Sequence, residues 1–274
     1  MNGLSKIVVD SKRNSLRIGF KDLKNYSDLF YILAYKDLRV RYAQTFLGII
    51  WAILQPLATL MIFILIFGMI VKVDTQDIPY PLFAISGISM WTYFSFVFSQ
   101  SGNSVIGAQE MIKKIYFPRL VIPLSKAIVG FVDFGLALLM LVVLFLVYGF
   151  APSTNLIFAP LFILLNIVTA LSFGIWLSAL TIRYRDFHHI IPFLIQFGMY
   201  ATPVAYPGRL VPDKYQFLYN LNPMAGLIEG FRWSLFGGNP PGIYLFMSII
   251  VILLLFISGL IYFKRVEEIM ADII

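Results

Sequence analysis

The character of this chain is set between Lys36 and Val71, where the sequence reads KDLRVRYAQTFLGIIWAILQPLATLMIFILIFGMIV. Four charged residues open this run, and the 30 residues from Tyr42 to Val71 contain no Asp, Glu, Lys or Arg. At about 1.5 Å per residue, such a helix reaches about 45 Å, more than the ~30 Å hydrocarbon core of a bilayer. We therefore predict a transmembrane helix that tilts, kinks at Pro56 or emerges into the headgroups. Because cytoplasmic flanks are rich in Lys and Arg, the basic start predicts that the chain leaves the cytosol here.

The composition of the whole chain also indicates a membrane protein. Of its 274 residues, 59% are hydrophobic and 13% are charged, whereas soluble proteins carry about 25% charged residues. The net charge of +7 does not indicate nucleic-acid binding, because Lys and Arg concentrate in the first 45 residues and in short loops between apolar runs. The chain has no cysteine, which excludes disulfides and cysteine-ligated metal sites. A cleaved signal peptide is not expected, since no apolar segment precedes Leu29.

The apolar pattern predicts an all-α, polytopic membrane protein with six transmembrane helices. We expect a cytosolic basic arm over residues 1–26 and a single transmembrane domain over residues 27–274. An amphipathic helix at 28–42 is expected to lie in the membrane interface, and the alternative is an extension of the first span. With both termini cytoplasmic, 16 of the 21 Lys and Arg residues fall on the cytosolic side, as the positive-inside rule requires. The spans are predicted at 46–71, 82–106, 120–149, 156–182, 190–206 and 243–263.

Residues 207–236 break the pattern of long spans. Prolines interrupt this segment, and its charged residues make it too polar to cross a membrane. Asn222-Pro223 predicts a helix start, because proline favours the first helical position, and Gly237-Gly238 predicts a stop. We therefore expect a pair of short helices at the outer face or dipping into it.

Two groups of side chains are candidates for lining a transport path. The second span carries polar residues at spacings of three or four, which places them on one helical stripe: Ser86, Ser89, Thr92, Ser95, Ser99 and Asn103. Such a stripe either faces a wet cavity or forms hydrogen bonds within and between helices. The fifth span places Phe193, Gln196, Phe197 and Tyr200 on one face, and most aromatic residues in such a chain face lipid or core. Our candidates for the channel lining are Ser89, Thr92, Ser95, Ser99, Phe193, Phe197 and Tyr200.

Two ionisable residues lie within the third span. Lys126 is near its inner edge, where a long side chain can reach the headgroups. Asp133 is deeper, and an intramembrane carboxylate costs about 2.5–3.5 kcal/mol on insertion scales. The two residues are seven positions apart on one face, which favours a buried polar contact at a helix interface.

No motif for a metal or a nucleotide is present. Asp186, His188 and His189 lack the spacing of a metal-binding helix, so no metal site is expected. The chain also lacks GxxxxGK[ST], the loop that holds nucleotide phosphates. If ATP drives this protein, the ATP must therefore bind to a separate chain.

Five runs of sequence, in this order and spacing, resemble the transmembrane subunit of bacterial ABC-2 type polysaccharide exporters. The resemblance covers about 30–265 and is nearest to O-antigen exporter permeases, which are related to those for capsule and teichoic acid. The runs are KDLRVRYAQTFLGIIWAILQP, PYPLFAISGISMWTYF, KKIYFPRLVIPLSK, LSALTIRYRDFHHIIPFLIQFGMYATPVAYP and LNPMAGLIEGFRWSLFG.

The resemblance implies a homodimer that encloses a channel in the bacterial inner membrane, above two copies of a cytosolic ABC ATPase. Its substrate would be a lipid-linked, undecaprenyl-type polysaccharide such as O-antigen. The chain itself would bind no cofactor, because ATP and Mg belong to the ATPase, and its remaining contacts would be membrane lipids rather than nucleic acid.

The resemblance also assigns roles to particular segments. The cytosolic links at 107–119 and 183–189 would act as coupling helices, the helix at 28–42 would rest near the ATPase, and 207–236 would hold external gate helices. The implied coupling residues are Glu110, Lys113, Lys114, Arg183, Tyr184, Arg185 and Asp186. Those of the interfacial helix are Asp37, Arg39 and Arg41, and those of the gate are Tyr206, Asn222, Pro223, Glu229 and Arg232.

Three alternatives compete with this hypothesis. One is an ABC-2 exporter of another amphiphile, such as teichoic acid, capsule, a lipid or a drug. Another is a membrane-embedded polyprenyl-phosphate glycosyltransferase, which is disfavoured because the chain has no DxD arrangement of acids. The third is a passive channel or scaffold. A transporter subunit needs its ATPase and nucleotide, whereas an enzyme turns over alone.

Overall fold

The computed structural model of the chain describes residues 25–43, 48–184 and 186–273. Every regular element within these ranges is helical, so the predicted all-α class is confirmed. The expected basic arm lies outside the described residues, except for its last two. The helices are α1 (Ser27–Ala43), α2 (Ile50–Phe63, continued by a π-helix over Ile64–Ile70), α3 (Tyr80–Gly107), α4 (Gln109–Lys114), α5 (Val121–Tyr148), α6 (Ala159–Arg183), α7 (Phe187–Ala201), α8 (Asp213–Asn220), α9 (Pro223–Phe236) and α10 (Ile243–Ile273).

Five helices in the described part of the chain are long and apolar enough to cross a membrane. They correspond to five of the six predicted spans, and they make this a multi-pass membrane protein. These candidate spans are Ile50–Ile70, Tyr80–Gly107, Val121–Tyr148, Thr154–Arg183 and Leu245–Met270.

The predicted span at 190–206 is not among them. Helix α7 has 15 residues, which at about 1.5 Å per residue is about 22 Å and shorter than a bilayer core. The helix ends where Thr202 takes an extended conformation (φ −114°, ψ 146°), because a following proline disfavours the helical conformation. Residues 202–206 are not helical. The six-span count therefore stays a prediction.

The bundle has two distinct ends, because α3, α5 and α6 follow one another in alternating directions. The link end carries the connections after α3 and after α6. At this end, Val266 and Met270 of α10 pack with Phe117 and Ile182. The turn end carries the connections at 71–79 and 149–158. Gly149 closes α5 there in the left-handed conformation (φ 61°), which glycine adopts without strain. Helix α10 continues ten residues beyond its predicted end at 263.

Helix α3 is the centre of the bundle. In its most apolar 18-residue window 78% of residues are buried, against 17% for α2 and 22% for α10. Polar side chains join α3 to α5 and α6. The Ser101 hydroxyl donates to the Pro123 carbonyl of α5 at 2.9 Å, and the Asn166 amide of α6 donates to the Met90 carbonyl at 3.1 Å. These bonds hold α5 and α6 directly against α3.

Helices α8 and α9 occupy the segment predicted to hold two short helices. The Asn222 side chain accepts the Met224 N–H at 3.1 Å and begins α9, and Gly237 (φ 79°) ends it, so both predicted boundaries are confirmed. Helix α9 is buried in the bundle along most of its length, and the expected position of α8 and α9 at the outer face or dipping into it stays a prediction. Its last turn meets the turn end, where the Ser153 N–H donates to the Leu235 carbonyl at 2.9 Å.

Candidate functional site

Helix α7 presents an exposed aromatic face. Phe193 and Phe197 are each 65% exposed and stack with centroids 6.1 Å apart, and Tyr200, one turn further, is 62% exposed. On the opposite face, Ile191 packs into a small cluster with Phe98 and Leu177. The predicted aromatic face therefore exists, and no residue in the described part of the chain covers it.

The polar stripe of α3 divides into a buried part and a half-buried part. Ser86 and Ser89 are fully buried within the chain, which removes Ser89 from the candidate lining. Thr92, Ser95 and Ser99 are half-buried. The hydroxyls of Ser86, Ser89, Thr92 and Ser95 donate to carbonyls of α3 itself, as expected for hydroxyls in apolar helices. The Ser86 hydroxyl also accepts a bond from Nε of Arg232 at 3.3 Å.

The non-helical segment after α7 is held by the side chain of Arg232 on α9. The Arg232 side chain is 5% exposed. Its guanidinium donates to the carbonyls of Pro203 at 2.6 Å and Val204 at 2.8 Å, and to that of Phe83 on α3 at 3.1 Å. It also lies 3.5 Å from the centre of the Phe83 ring. Buried carbonyls need partners, and here a single cation supplies them for two different elements. We call these contacts the Arg232 cluster.

Helix α3 approaches this cluster closely at Gly87. A Cβ atom at this position would lie 2.6 Å from the Arg232 guanidinium and 2.7 Å from the Val204 carbonyl oxygen. Only glycine leaves room for both groups, which gives Gly87 a structural role in the cluster.

The remaining predicted gate residues bind the same segment. The Asn222 amide donates to the Thr202 hydroxyl at 2.8 Å, and Tyr206 donates to the Tyr200 carbonyl at 2.9 Å. Glu229 accepts the Gly208 N–H at 2.8 Å. Pro223 is buried at the start of α9. The five predicted gate residues therefore come together around residues 200–208.

The first link, after α3, is exposed but anchored. Glu110, Lys113 and Lys114 lie on α4 and are exposed, beside a cleft of about 190 Å³ lined by residues 112–117 and Arg119. The Arg119 N–H donates to the Glu267 carboxylate at 2.9 Å, and its guanidinium donates to the Glu267 carbonyl at 2.6 Å. The extension of α10 therefore fixes the end of this link.

The second link, after α6, is short and exposed. Arg183, Tyr184 and Asp186 are exposed, and the Arg183 guanidinium lies 5.4 Å from the Tyr184 ring centre. Arg185 lies outside the described residues. His188 belongs to α7, where Nδ1 forms a 2.7 Å hydrogen bond with Oδ1 of Asn103. Among the described residues, no three side chains of metal-ligating type come together.

Helix α1 packs against α5, where Asp37 and Arg41, both half-buried, pair with Lys126 and Asp133. The position of α1 in the membrane interface stays a prediction. Arg39 is exposed. The sequence indicated a polar contact for Lys126 and Asp133 but not its partners.

Three features of the site were not predicted from the sequence. They are the carbonyl contacts of Arg232, the close approach at Gly87 and the bond between Arg119 and Glu267. For the carbonyl contacts, the sequence offers one signal. Arg232 is a cation on an otherwise apolar, helix-forming segment, and such a charge needs partners when it is buried. For the other two, the residues lie far apart in sequence.

Comparison with known proteins shows similarity over nearly the whole chain. Residues 28–236 match the sequence family described as ABC-2 type transporter. The O-antigen export system permease protein RfbA of Klebsiella pneumoniae is 29% identical over 248 residues, covering 90% of this chain and 95% of the relative. RfbA of Myxococcus xanthus is 27% identical over 253 residues (90% and 96% covered), and the polysialic acid transport protein KpsM of Escherichia coli is 25% identical over 246 residues (86% and 93% covered). The similarity therefore extends over the whole bundle rather than a single element.

Proposed function

Because the chain belongs to the ABC-2 type transporter family, we propose that it is the channel-forming permease subunit of an ATP-driven exporter of a lipid-linked polysaccharide. The observation that carries this proposal is the match with O-antigen export permeases, which covers at least 90% of both chains. The similarity to a polysialic acid transport protein supports the same class of cargo. The substrate proposed is an undecaprenyl-type lipid carrying a polymer such as O-antigen.

The link end is proposed to face the cytosol of a bacterium, with the protein in the inner membrane and both termini inside. The exposed basic residues at this end, Lys113, Lys114 and Arg183, support this orientation through the positive-inside rule. The sequence carries no P-loop, so the energy is proposed to come from two copies of an ABC ATPase that bind the two links.

A second copy of the chain is proposed to complete the channel. The aromatic face of α7 is exposed in the single chain, and contiguous exposed apolar surface marks sites of interaction. The half-buried hydroxyls of Thr92, Ser95 and Ser99 supply hydrogen-bond partners for a sugar polymer. Phe193, Phe197 and Tyr200 supply flat apolar surfaces for sugar rings.

Reconstitution tests the proposed function. The chain is placed in proteoliposomes with and without its ABC ATPase, and movement of a fluorescent undecaprenyl-linked oligosaccharide across the bilayer is followed. We expect transport only when both proteins and ATP are present, and no transport with an ATPase whose catalytic glutamate is replaced. Transport by the chain alone would contradict an ATP-driven mechanism, and glycosyl transfer by the chain alone would favour the enzyme.

The channel wall is tested separately by cysteine labelling, since the chain has no cysteine of its own. Phe193→Cys is compared with Leu139→Cys, which is 57% exposed on α5. If α7 lines a water-filled path, a small water-soluble thiol reagent modifies Phe193→Cys much faster than Leu139→Cys. Equal, slow modification would place α7 against lipid.

A further inference from the structure

Four charged side chains join α1 to α5 in two ion pairs of opposite polarity. Asp37 of α1 pairs with Lys126 of α5, and Arg41 of α1 pairs with Asp133 of α5. Each helix contributes one acid and one base, in opposite order along the chain. We call these four residues the α1–α5 clasp.

Two aromatic residues extend the clasp. The Tyr42 hydroxyl donates to the second carboxylate oxygen of Asp133. The Arg41 guanidinium lies 4.4 Å from the ring centre of Phe96 on α3. The side chains of the four charged residues are between 15% and 34% exposed. The arginine at this site therefore contacts both α5 and the central helix.

The order of the pairs fixes how the two helices lie. The higher-numbered residue of α1 pairs with the higher-numbered residue of α5, so the helices run in the same direction here. At about 1.5 Å per residue, Asp133 lies about 10 Å beyond Lys126 along α5. The clasp lies in the second half of α1, whereas Leu29 and Leu33 in its first half pack at the link end. Helix α1 thus reaches from the link end toward the middle of the bundle.

Because each helix carries one acid and one base in opposite order, both pairs form in only one register of α1 against α5. A rotation or shift of α1 by one residue would separate both pairs, and a shift that paired like charges would be repulsive. Partly buried ion pairs add little net stability against apolar replacements, but removing one partner is costly. Their best-attested use is to specify a single arrangement.

We propose that the α1–α5 clasp makes α1 and α5 one rigid unit, which carries movement from the link end to the middle of the bundle. Asp37, Arg41, Lys126 and Asp133 are then positioning residues for transport. The effect on export rests on the proposed function, whereas the locking of the two helices does not.

Exchange of the charges tests the pairing. Asp37→Lys and Lys126→Asp each place like charges together, and we expect each to lower the Tm of the purified protein and to reduce export. The double variant D37K/K126D restores opposite charges, and we expect it to recover most of both losses. A double variant no better than either single one would overturn the pairing. Asp77→Lys, the same charge reversal at an exposed position of the 71–79 connection, is the control and should change neither quantity appreciably.

Covalent locking tests the rigid-unit role. In D37C/K126C the ion pair is lost, and we expect a lower Tm and loss of export. A bis-methanethiosulfonate reagent long enough to span the two cysteines then joins the helices. The proposal predicts that joining restores both Tm and export, and that a reducing agent reverses this. Recovery of Tm without recovery of export would show that α1 must slide along α5, which would overturn the proposal.

The two readouts separate this proposal from the proposed function. The Tm measurements require no substrate and no ATPase. If the unmodified protein exports no polysaccharide while the charge exchange still restores Tm, the function is wrong and the locking stands. If export is present and the exchange restores neither Tm nor export, the clasp is wrong and the function stands.

Discussion

At the turn end, the guanidinium of Arg232 is held mainly by backbone carbonyls, whereas on α5 the charges of Lys126 and Asp133 are held by opposite charges from α1. The Arg232 cluster fixes a segment that has no helix of its own to bind its carbonyls. The α1–α5 clasp joins two complete helices whose carbonyls are already bonded. In this bundle a buried cation satisfies irregular backbone, whereas the partly buried charges of the clasp are proposed to select a register.

The largest effect is expected from Arg232→Met. This change leaves the carbonyls of Pro203 and Val204 without their donors in a buried site, at a cost of about 3–5 kcal/mol in the free energy of unfolding. Arg209→Met is the control, because Arg209 is an exposed arginine at the same end of the bundle. Unfolding in detergent measures both variants. Similar small losses would show that the guanidinium does not hold this segment, and the comparison with the clasp would fail.

Gly87→Ala tests the same cluster from the side of α3. The added Cβ would lie within 3 Å of both Arg232 and the Val204 carbonyl oxygen, and such overpacking costs about 1–3 kcal/mol. Gly135→Ala on α5 is the control, since nothing lies within 4 Å of its Cβ position. The free energies of unfolding of the two variants should differ by at least about 1 kcal/mol. Equal stabilities would mean that the segment moves aside freely.

Removing one charge from the clasp is expected to cost less. Asp133→Asn keeps the shape of the side chain but weakens the bonds from Arg41 and Tyr42. Because the Asp133 and Arg41 side chains are 20% and 34% exposed, water compensates in part, and we expect a loss of about 1–2 kcal/mol. Arg39→Gln should stay within about 0.5 kcal/mol of the unmodified protein. A loss as large as that of Arg232→Met would remove the distinction between the two sites.

The smallest effect is expected at the exposed pair of Asp74 and Arg209, whose charged atoms are 2.9 Å apart. The Gln76 N–H and then the Arg209 guanidinium hold the pKa of Asp74 below its usual value. A lowered pKa means that the benefit is present above the unfolded pKa of about 4 and is lost as pH falls through the folded value. Asp74→Asn should therefore remove a slight acid sensitivity and little else. Unfolding curves at neutral and acidic pH check this, and a marked loss at neutral pH would contradict it.

Much of the fold followed from apolar runs, because a long stretch without charge favours a helix that crosses the bilayer. The family was predicted from five runs of sequence and confirmed by relatives covering most of the chain. The fifth predicted span is longer than α7 because its apolar content favours a helix that Pro203 interrupts. Thr202-Pro203 ends α7 in the structure, and that signal was present in the sequence.

The contacts of the two charged sites were not predictable in the same way. Periodicity placed Lys126 and Asp133 on one face, but their partners on α1 lie about 90 residues earlier in the chain. Resemblance alone predicts that Arg232 belongs to a gate. Its partners are backbone carbonyls at 203 and 204, and any residue type supplies a carbonyl. No pattern of side chains therefore marks such a partner.

Labelling from one side of the membrane tests most directly that the bundle is driven from its link end. Tyr116→Cys and Tyr184→Cys lie at the two links, where the native residues are 75% and 49% exposed, and Ile157→Cys lies at the turn end, where the native residue is 79% exposed. A membrane-impermeant maleimide is added to inside-out vesicles with and without the ABC ATPase. We predict labelling of the two link positions, its suppression by the bound ATPase, and no labelling of Ile157→Cys. Labelling of Ile157→Cys, with no labelling of Tyr116→Cys or Tyr184→Cys even when the ATPase is absent, would contradict the account, because no cytosolic ATPase would then reach the links.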